Sequence, residues 1–165
     1  MIQNGDAIPS VAIKLINKGG VTDADSATIF GDGRVVLFTV PGAFTPTCHN
    51  NHLPGYVSAA DAFRAKGINR VICMTVNDQH VVKAWADASG ALGAVEFIAD
   101  GNGALTKALG LDKDMSGGGM GTRAIRAALI IKDGIVEALF TEDQPGQVTS
   151  SGAPAILDII ESMPA

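Results

Sequence analysis

The sequence predicts an α/β fold with a central mixed β-sheet flanked by helices, formed as a single domain over residues 1–165. Three observations carry this reading. Short, unalternated apolar runs rich in β-branched residues recur along the chain, as strands buried on both faces require. Segments of helical period lie between them, so strand and helix alternate. A length of 165 residues with 47% hydrophobic content is enough for one compact core, at roughly 100–200 residues per domain.

The elements follow in order. A preliminary segment covers 11–16 and 21–30, ahead of a first core strand at Val35–Val40 (VVLFTV). A helix-period stretch over 46–66 comes next, with Pro54-Gly55 expected to kink or end its first part. The second strand is Arg70–Val76 (RVICMTV), and Asn77-Asp78 after it has the look of a cap for a helix over 79–89. A third strand (Val95–Ala99), a helix over 102–109 and a fourth strand (Ala127–Ile131) complete the alternation. Lys132-Asp133-Gly134 then leads into Ile135–Thr141, and Asp-Gly between two apolar runs is the strongest short hairpin signal, so the sheet includes an antiparallel pair. The final helix spans 153–163 with Pro154 in its first turn, where a missing N–H does no harm. Ser116–Gly121 (SGGGMG) fits either a loop on the side of an active site or a plain surface loop. This order resembles an elaborated thioredoxin-like fold, which does not by itself assign a function.

Charge and cysteine content exclude several classes. Twelve Lys and Arg, scattered along the chain, stand against 17 Asp and Glu for a net charge of −5, so phosphate neutralisation on a nucleic acid is not expected. Two cysteines are too few for a disulfide framework and lack zinc-ligand spacing. No apolar run approaches ~18 residues, and residues 1–11 have neither a basic nor an apolar leader region. The chain therefore reads as intracellular, is expected in the cytoplasm, and shows no membrane partner.

The chemistry concentrates at 41–55, PGAFTPTCHNNHLPG, directly after the VVLFTV strand. Thr45 is a suitable N-cap whose hydroxyl can accept a backbone N–H two or three residues on, and Pro46 suits the first helical position. Cys48 then falls in the first helical turn. Free N–H groups, the positive end of the helix dipole and the Thr45 hydroxyl all favour thiolate over thiol there. Most free cysteines are simply small buried hydrophobes, but such a residue has no need of a Thr-Pro-Thr entry before it.

Pro41-x-x-x-Thr45-x-x-Cys48 matches the PxxxTxxC signature of peroxiredoxins, and PGAFTPTC with HLPGY resembles the type II (Prx5) subfamily. The resemblance extends over VICMTVND (71–78), KAWA (83–86), TKALGL (106–111) and the segment from Arg126 through KDGIVEAL, which is nearly the whole chain. It implies a thiol peroxidase that reduces hydrogen peroxide and alkyl hydroperoxides through a Cys48 sulfenic acid, with no metal or organic cofactor. It further implies that Thr45 hydrogen-bonds sulfur and substrate, that Arg126 stabilises the thiolate and polarises the O–O bond, and that Pro41 shields the site. Displacement at oxygen develops charge that fixed donors along the S···O···O line stabilise preferentially, which agrees with that set.

Arg123 and Arg126 both precede the AALII strand, and the resemblance selects Arg126. His52, four residues after Cys48 and so on the same helical face, is assigned a supporting role, although a general base or a plain structural His also fits. Cys73 lies in a core-strand context where a cysteine usually only packs; plant-type members carry a second cysteine at this spacing, which makes it a possible resolving thiol that would need local unfolding. Animal members place their resolving cysteine in the loop before the last helix, where this chain has Ser150, so that disulfide is not expected. The absence of CxxC leaves the reductant external: glutathione, glutaredoxin or thioredoxin. A homodimer is expected from the resemblance alone. His49, His80 and the carboxylates read as structural, and Trp85 as core. The alternatives are a peroxide sensor or a thiol-disulfide redox partner without turnover, or a cysteine hydrolase using Cys48 with His52 or His80.

Overall fold

In the computed structural model, which describes residues 1–144 and 146–164, the preliminary segment is a hairpin of β1 (Ala12–Asn17) and β2 (Gly20–Asp25) followed by the short α1 (Ser26–Phe30). Asp25 caps α1 by accepting from the Ala27 N–H. The first core strand is β3 (Arg34–Val40), in which Val35 to Val40 are all fully buried. A π-helical turn (Cys48–His52), α2 (Leu53–Ser58) and α3 (Ala60–Ala65) lead to β4 (Ile68–Thr75), α4 (Gln79–Ala88), β5 (Glu96–Ala99) and α5 (Ala104–Ala108). A small β6 (Asp112–Asp114) and β7 (Thr122–Ala124) flank a 3₁₀ turn at Ser116–Gly118, ahead of β8 (Ala127–Lys132), β9 (Ile135–Thr141) and α6 (Ala153–Ser162).

Seven strands form one mixed sheet in the order β2-β1-β5-β4-β3-β8-β9. Strands β3, β4 and β5 are parallel neighbours; β8 and β9 extend one side antiparallel, and β1 and β2 the other. The β8–β9 turn has Asp133 at φ 50° and Gly134 at φ 81°, the pair of positive values that a two-residue type I′ hairpin needs. Alternate residues of β3 divide the core: Val36, Phe38 and Val40 face Leu53, Tyr56, Trp85 and Ile156, while Val35 and Leu37 face Phe30, Leu105 and Leu109. Among the described residues, no helix is long and apolar enough to cross a membrane.

The helix-period stretch over 46–66, in which Pro54-Gly55 is expected to kink or end the first part, is divided. Pro54 has no N–H to donate, and its ring opposes the carbonyl four residues back. The backbone responds by widening: the Leu53 N–H donates to the Cys48 carbonyl, an i→i+5 bond, and α2 begins only there. A second break at Ala59 separates α2 from α3. The two-stranded β6–β7 sheet was not expected from the sequence, because three-residue strands with mostly exposed side chains carry no hydrophobic period.

Candidate active site

The buried strand β3 delivers the 41–48 segment to the carboxyl end of the parallel strands, the usual position for ligand chemistry in an open α/β sheet. Asn77, just beyond β4, secures it: its Oδ1 accepts from the Ala43 N–H (2.9 Å) and from Thr75 Oγ1 (2.8 Å). Asp78 alone makes the α4 cap, accepting from the N–H groups of His80 and Val81. Thr45 differs from expectation. Its hydroxyl donates to the Gly42 carbonyl at 2.7 Å, and among the described residues it accepts no backbone N–H. The turn at 42–45, with Phe44 held at φ 60°, brings that carbonyl within reach. Pro41 contributes its carbonyl to Arg123 Nη1 (3.2 Å), and Arg123 Nε also donates to the Met120 carbonyl (2.9 Å). Arg123 thereby clips the glycine-rich loop onto the 41–45 turn. A Cβ on Gly42 would lie 2.7 Å from Arg123 Nη1.

Cys48 is fully buried and Arg126 is 4% exposed, and Arg126 Nη2 donates to Cys48 Sγ at 3.1 Å. The other end of the guanidinium, Nη1, lies 2.9 Å from His52 Nδ1. A guanidinium only donates, so Nδ1 must hold a lone pair and the proton of neutral His52 sits on Nε2. That nitrogen donates to the Ser151 carbonyl at 2.9 Å. Tyr56 donates to the same carbonyl at 2.6 Å and stacks on Phe38 with ring centroids 3.9 Å apart. Burial, more than the neighbouring Arg126 charge and against the Ser151 bond and Glu142, pulls His52 down to about 4, in keeping with the neutral ring. The guanidinium thus sets a fixed positive charge beside the sulfur.

The depressed His52 has a consequence for stability. Between pH 6.5 and about 4 the unfolded chain takes up a proton that the folded chain refuses, so the His52 contribution is intact above pH 6.5 and declines as pH falls through that window. The full effect is ~3 kcal/mol. Urea melts of the parent and of His52→Asn from pH 7 to pH 4 are expected to show the parent losing more stability than the variant. Parallel losses would remove His52 as the cause.

Cys73 sits in β4 opposite Phe38 in register, fully buried, and both cysteines are free thiols in one core cluster. Burial pushes the Cys73 thiol well above its usual range; Cys48 adds to the shift and Arg126 opposes it. Trp85 is core, as expected, and donates through Nε1 to His49 Nδ1 at 3.0 Å. An open depression of about 530 Å³ beside the thiol is lined by Pro41, Thr45, Thr47, Met115, Met120 and Arg126, among others, which places the 116–121 loop on the active-site side. Ser151, Asn77 and Glu142 escaped sequence reasoning. A backbone carbonyl such as that of Ser151 leaves no sequence signal, whereas Asn77 was seen only as part of a cap.

A cysteine at a helix entry, buried against an arginine at one end of a thioredoxin-like α/β sheet, defines a thiol-based redox protein. The Redoxin family model matches residues 3–157. The chain is 47% identical over 124 residues to peroxiredoxin-2C of Oryza sativa (75% of this chain, 76% of that one). It is 38% identical over 154 residues to peroxiredoxin-2B of Arabidopsis thaliana (93% and 94%). Among solved structures, reduced Prx3 of Vibrio vulnificus in complex with hydrogen peroxide superposes with a TM-score of 0.90 at 40% identity, over 97% of this chain and 99% of that one. The 1-Cys peroxiredoxin of Plasmodium falciparum superposes with a TM-score of 0.91 at 26% identity, over 98% and 100%. The chain belongs to the peroxiredoxins, of the type II, Prx5-like kind, and is accordingly a thiol peroxidase, an oxidoreductase with a peroxide substrate and a thiol reductant.

Proposed function

We propose that Cys48 is the peroxidatic thiol and that Arg126 is its principal activating group, with Thr45 and Pro41 completing the site and His52 supporting it. The 3.1 Å contact from Arg126 Nη2 to Sγ carries this reading. The thiolate attacks one peroxide oxygen, an S–O bond forms as the O–O bond breaks, and the departing oxygen takes up a proton to leave as water or alcohol. Cys48 becomes a sulfenic acid. Arg126 is placed to stabilise the thiolate before attack and the charge that passes to oxygen during it. With its own proton on the Gly42 carbonyl, the Thr45 oxygen can accept the O–H of the incoming peroxide. Pro41 lines the same depression as Thr45 and Arg126, which serves as the substrate's approach in this reading.

Turnover follows a one-Cys cycle in this proposal. Ser150 stands in the loop before α6, and Cys73 is sealed in β4, so the sulfenic acid meets an external thiol: glutathione with glutaredoxin, or thioredoxin. Because Cys48 is itself fully buried, a protein reductant requires the π-helical turn to open locally. Two unpaired thiols suit a reducing compartment such as the cytoplasm, and the working unit is a homodimer, as the family resemblance implies.

Oxidation with one equivalent of hydrogen peroxide, followed by intact mass measurement, tests the cycle. The expected product gains one oxygen and, on addition of glutathione, becomes a mixed disulfide at Cys48. A loss of two hydrogens would mean a Cys48–Cys73 disulfide and would overturn the one-Cys cycle.

A further inference from the structure

Glu142 follows β9 and gathers four donors from the segment before α6. Its Oε1 accepts from the backbone N–H groups of Thr149 (2.5 Å) and Ser151 (3.0 Å) and from Ser151 Oγ (2.9 Å), and its Oε2 accepts from Thr149 Oγ1 (2.7 Å). Partial burial works against charge on this carboxyl, but the donors outweigh it and hold the group below its usual range. The Glu142 N–H also donates to the Arg126 carbonyl at 3.1 Å, tying the residue to the backbone that carries the guanidinium.

These bonds close the turn over 149–151 and thereby set the direction of the Ser151 carbonyl. That carbonyl accepts from both His52 Nε2 and Tyr56 Oη. The bond to Nε2 keeps the His52 proton there and leaves Nδ1 as an acceptor facing Arg126 Nη1, while the other end of the same rigid guanidinium faces Cys48 Sγ. A planar guanidinium cannot turn one end without turning the other, so its aim at sulfur is coupled to the His52 ring.

We propose that Glu142 is a positioning residue for the peroxidatic centre, acting through the Ser151 carbonyl and His52 to hold Arg126 on Cys48. The inference rests on the reading of Cys48 given above. Glu142 touches neither the sulfur nor the depression on the active-site side, so it reaches the centre only through Ser151 and His52.

The test compares Glu142→Ala and Glu142→Gln by rapid mixing with hydrogen peroxide and by ¹⁵N NMR of the His52 ring. Removing the carboxylate releases the 149–151 turn, and a slackened site loses on the order of 10-fold or more in the second-order rate constant. The His52 Nε2–H signature should be lost with it. Glutamine retains an oxygen for the two backbone N–H groups and an amide that can donate to Thr149 Oγ1, so it should restore both the rate and the signature. Parent-like rate and signature in Glu142→Ala would overturn the proposal, as would a rate loss in both variants with the signature intact. If the alanine variant does not fold, Glu142→Asp, which withdraws the carboxylate by one methylene, should lie between parent and loss, and a parent rate would be fatal. Cys48→Ser is assayed alongside: peroxide consumption by that variant defeats the reading of Cys48, whereas its inactivity beside an unimpaired Glu142→Ala defeats only this inference.

Discussion

Cys48→Ser is expected to reduce peroxide consumption to the uncatalysed background, a fall of more than ~10³-fold, because a serine hydroxyl is not ionised at neutral pH and is a poor nucleophile towards peroxide oxygen. The fold should survive the change. The serine hydroxyl is close in size to the thiol, and Arg126 Nη2, 3.1 Å from the sulfur, supplies a donor that its oxygen can accept. Stability should change by ~1 kcal/mol, within the range of ordinary single substitutions. The measurement pairs peroxide consumption, with dithiothreitol as reductant, against a urea melt. Retained turnover in a folded Cys48→Ser protein would transfer the chemistry elsewhere, with Cys73 the remaining thiol.

The second large effect is expected at Arg126. Arg126→Met removes the charged donor from sulfur and from the departing oxygen, and loss of one such preorganised donor typically costs ~10²–10³ in rate. It also strands the Nδ1 lone pair of His52, a residue 1% exposed, and an unsatisfied buried acceptor costs ~1–3 kcal/mol. Arg126→Lys separates these contributions. An ammonium restores the charge but lacks the planar fork that reaches Cys48 Sγ and His52 Nδ1 together, so partial recovery of rate is expected. Iodoacetamide alkylation of Cys48 at pH 7 reports the thiolate without peroxide chemistry. It should slow in Arg126→Met, and a parent alkylation rate with impaired peroxide reduction would confine Arg126 to the O–O bond.

Elements whose signal is local were legible in the chain. The unbroken VVLFTV run became the fully buried centre of the sheet, Asp133-Gly134 became a type I′ turn, and Pro46 and Pro154 each opened a helical segment. The expectations that failed depend on competition between neighbours. Thr45 has the right chemistry for a cap and its carbonyl accepts the His49 N–H, but its hydroxyl is turned onto the Gly42 carbonyl and takes no backbone N–H among the described residues. Pro54 was visible as a disruption, yet whether the helix stops, kinks or widens depends on what holds the residues on either side. Here His52 is anchored through Ser151 and Leu53 is buried, so the turn widens and the chain continues as helix.

The sequence by itself determined the class of this protein: a mixed α/β sheet from the alternation of apolar runs and helical periods, and membership of the peroxiredoxins from a motif that places residues 41, 45 and 48 in one short turn. Such features depend on residues close in the chain, whose geometry the backbone largely dictates. Only the tertiary structure decided how Arg126, the arginine the resemblance selects, meets the sulfur, which nitrogen of His52 carries the proton, and that Ser151 and Glu142 stand behind both. Arg126 is 78 residues from Cys48, and Ser151 is 99 from His52. Contacts at such separations are set by the packing of β8, β9 and the segment before α6 against the π-helical turn, and a carbonyl that belongs to every residue alike leaves nothing in the sequence to read.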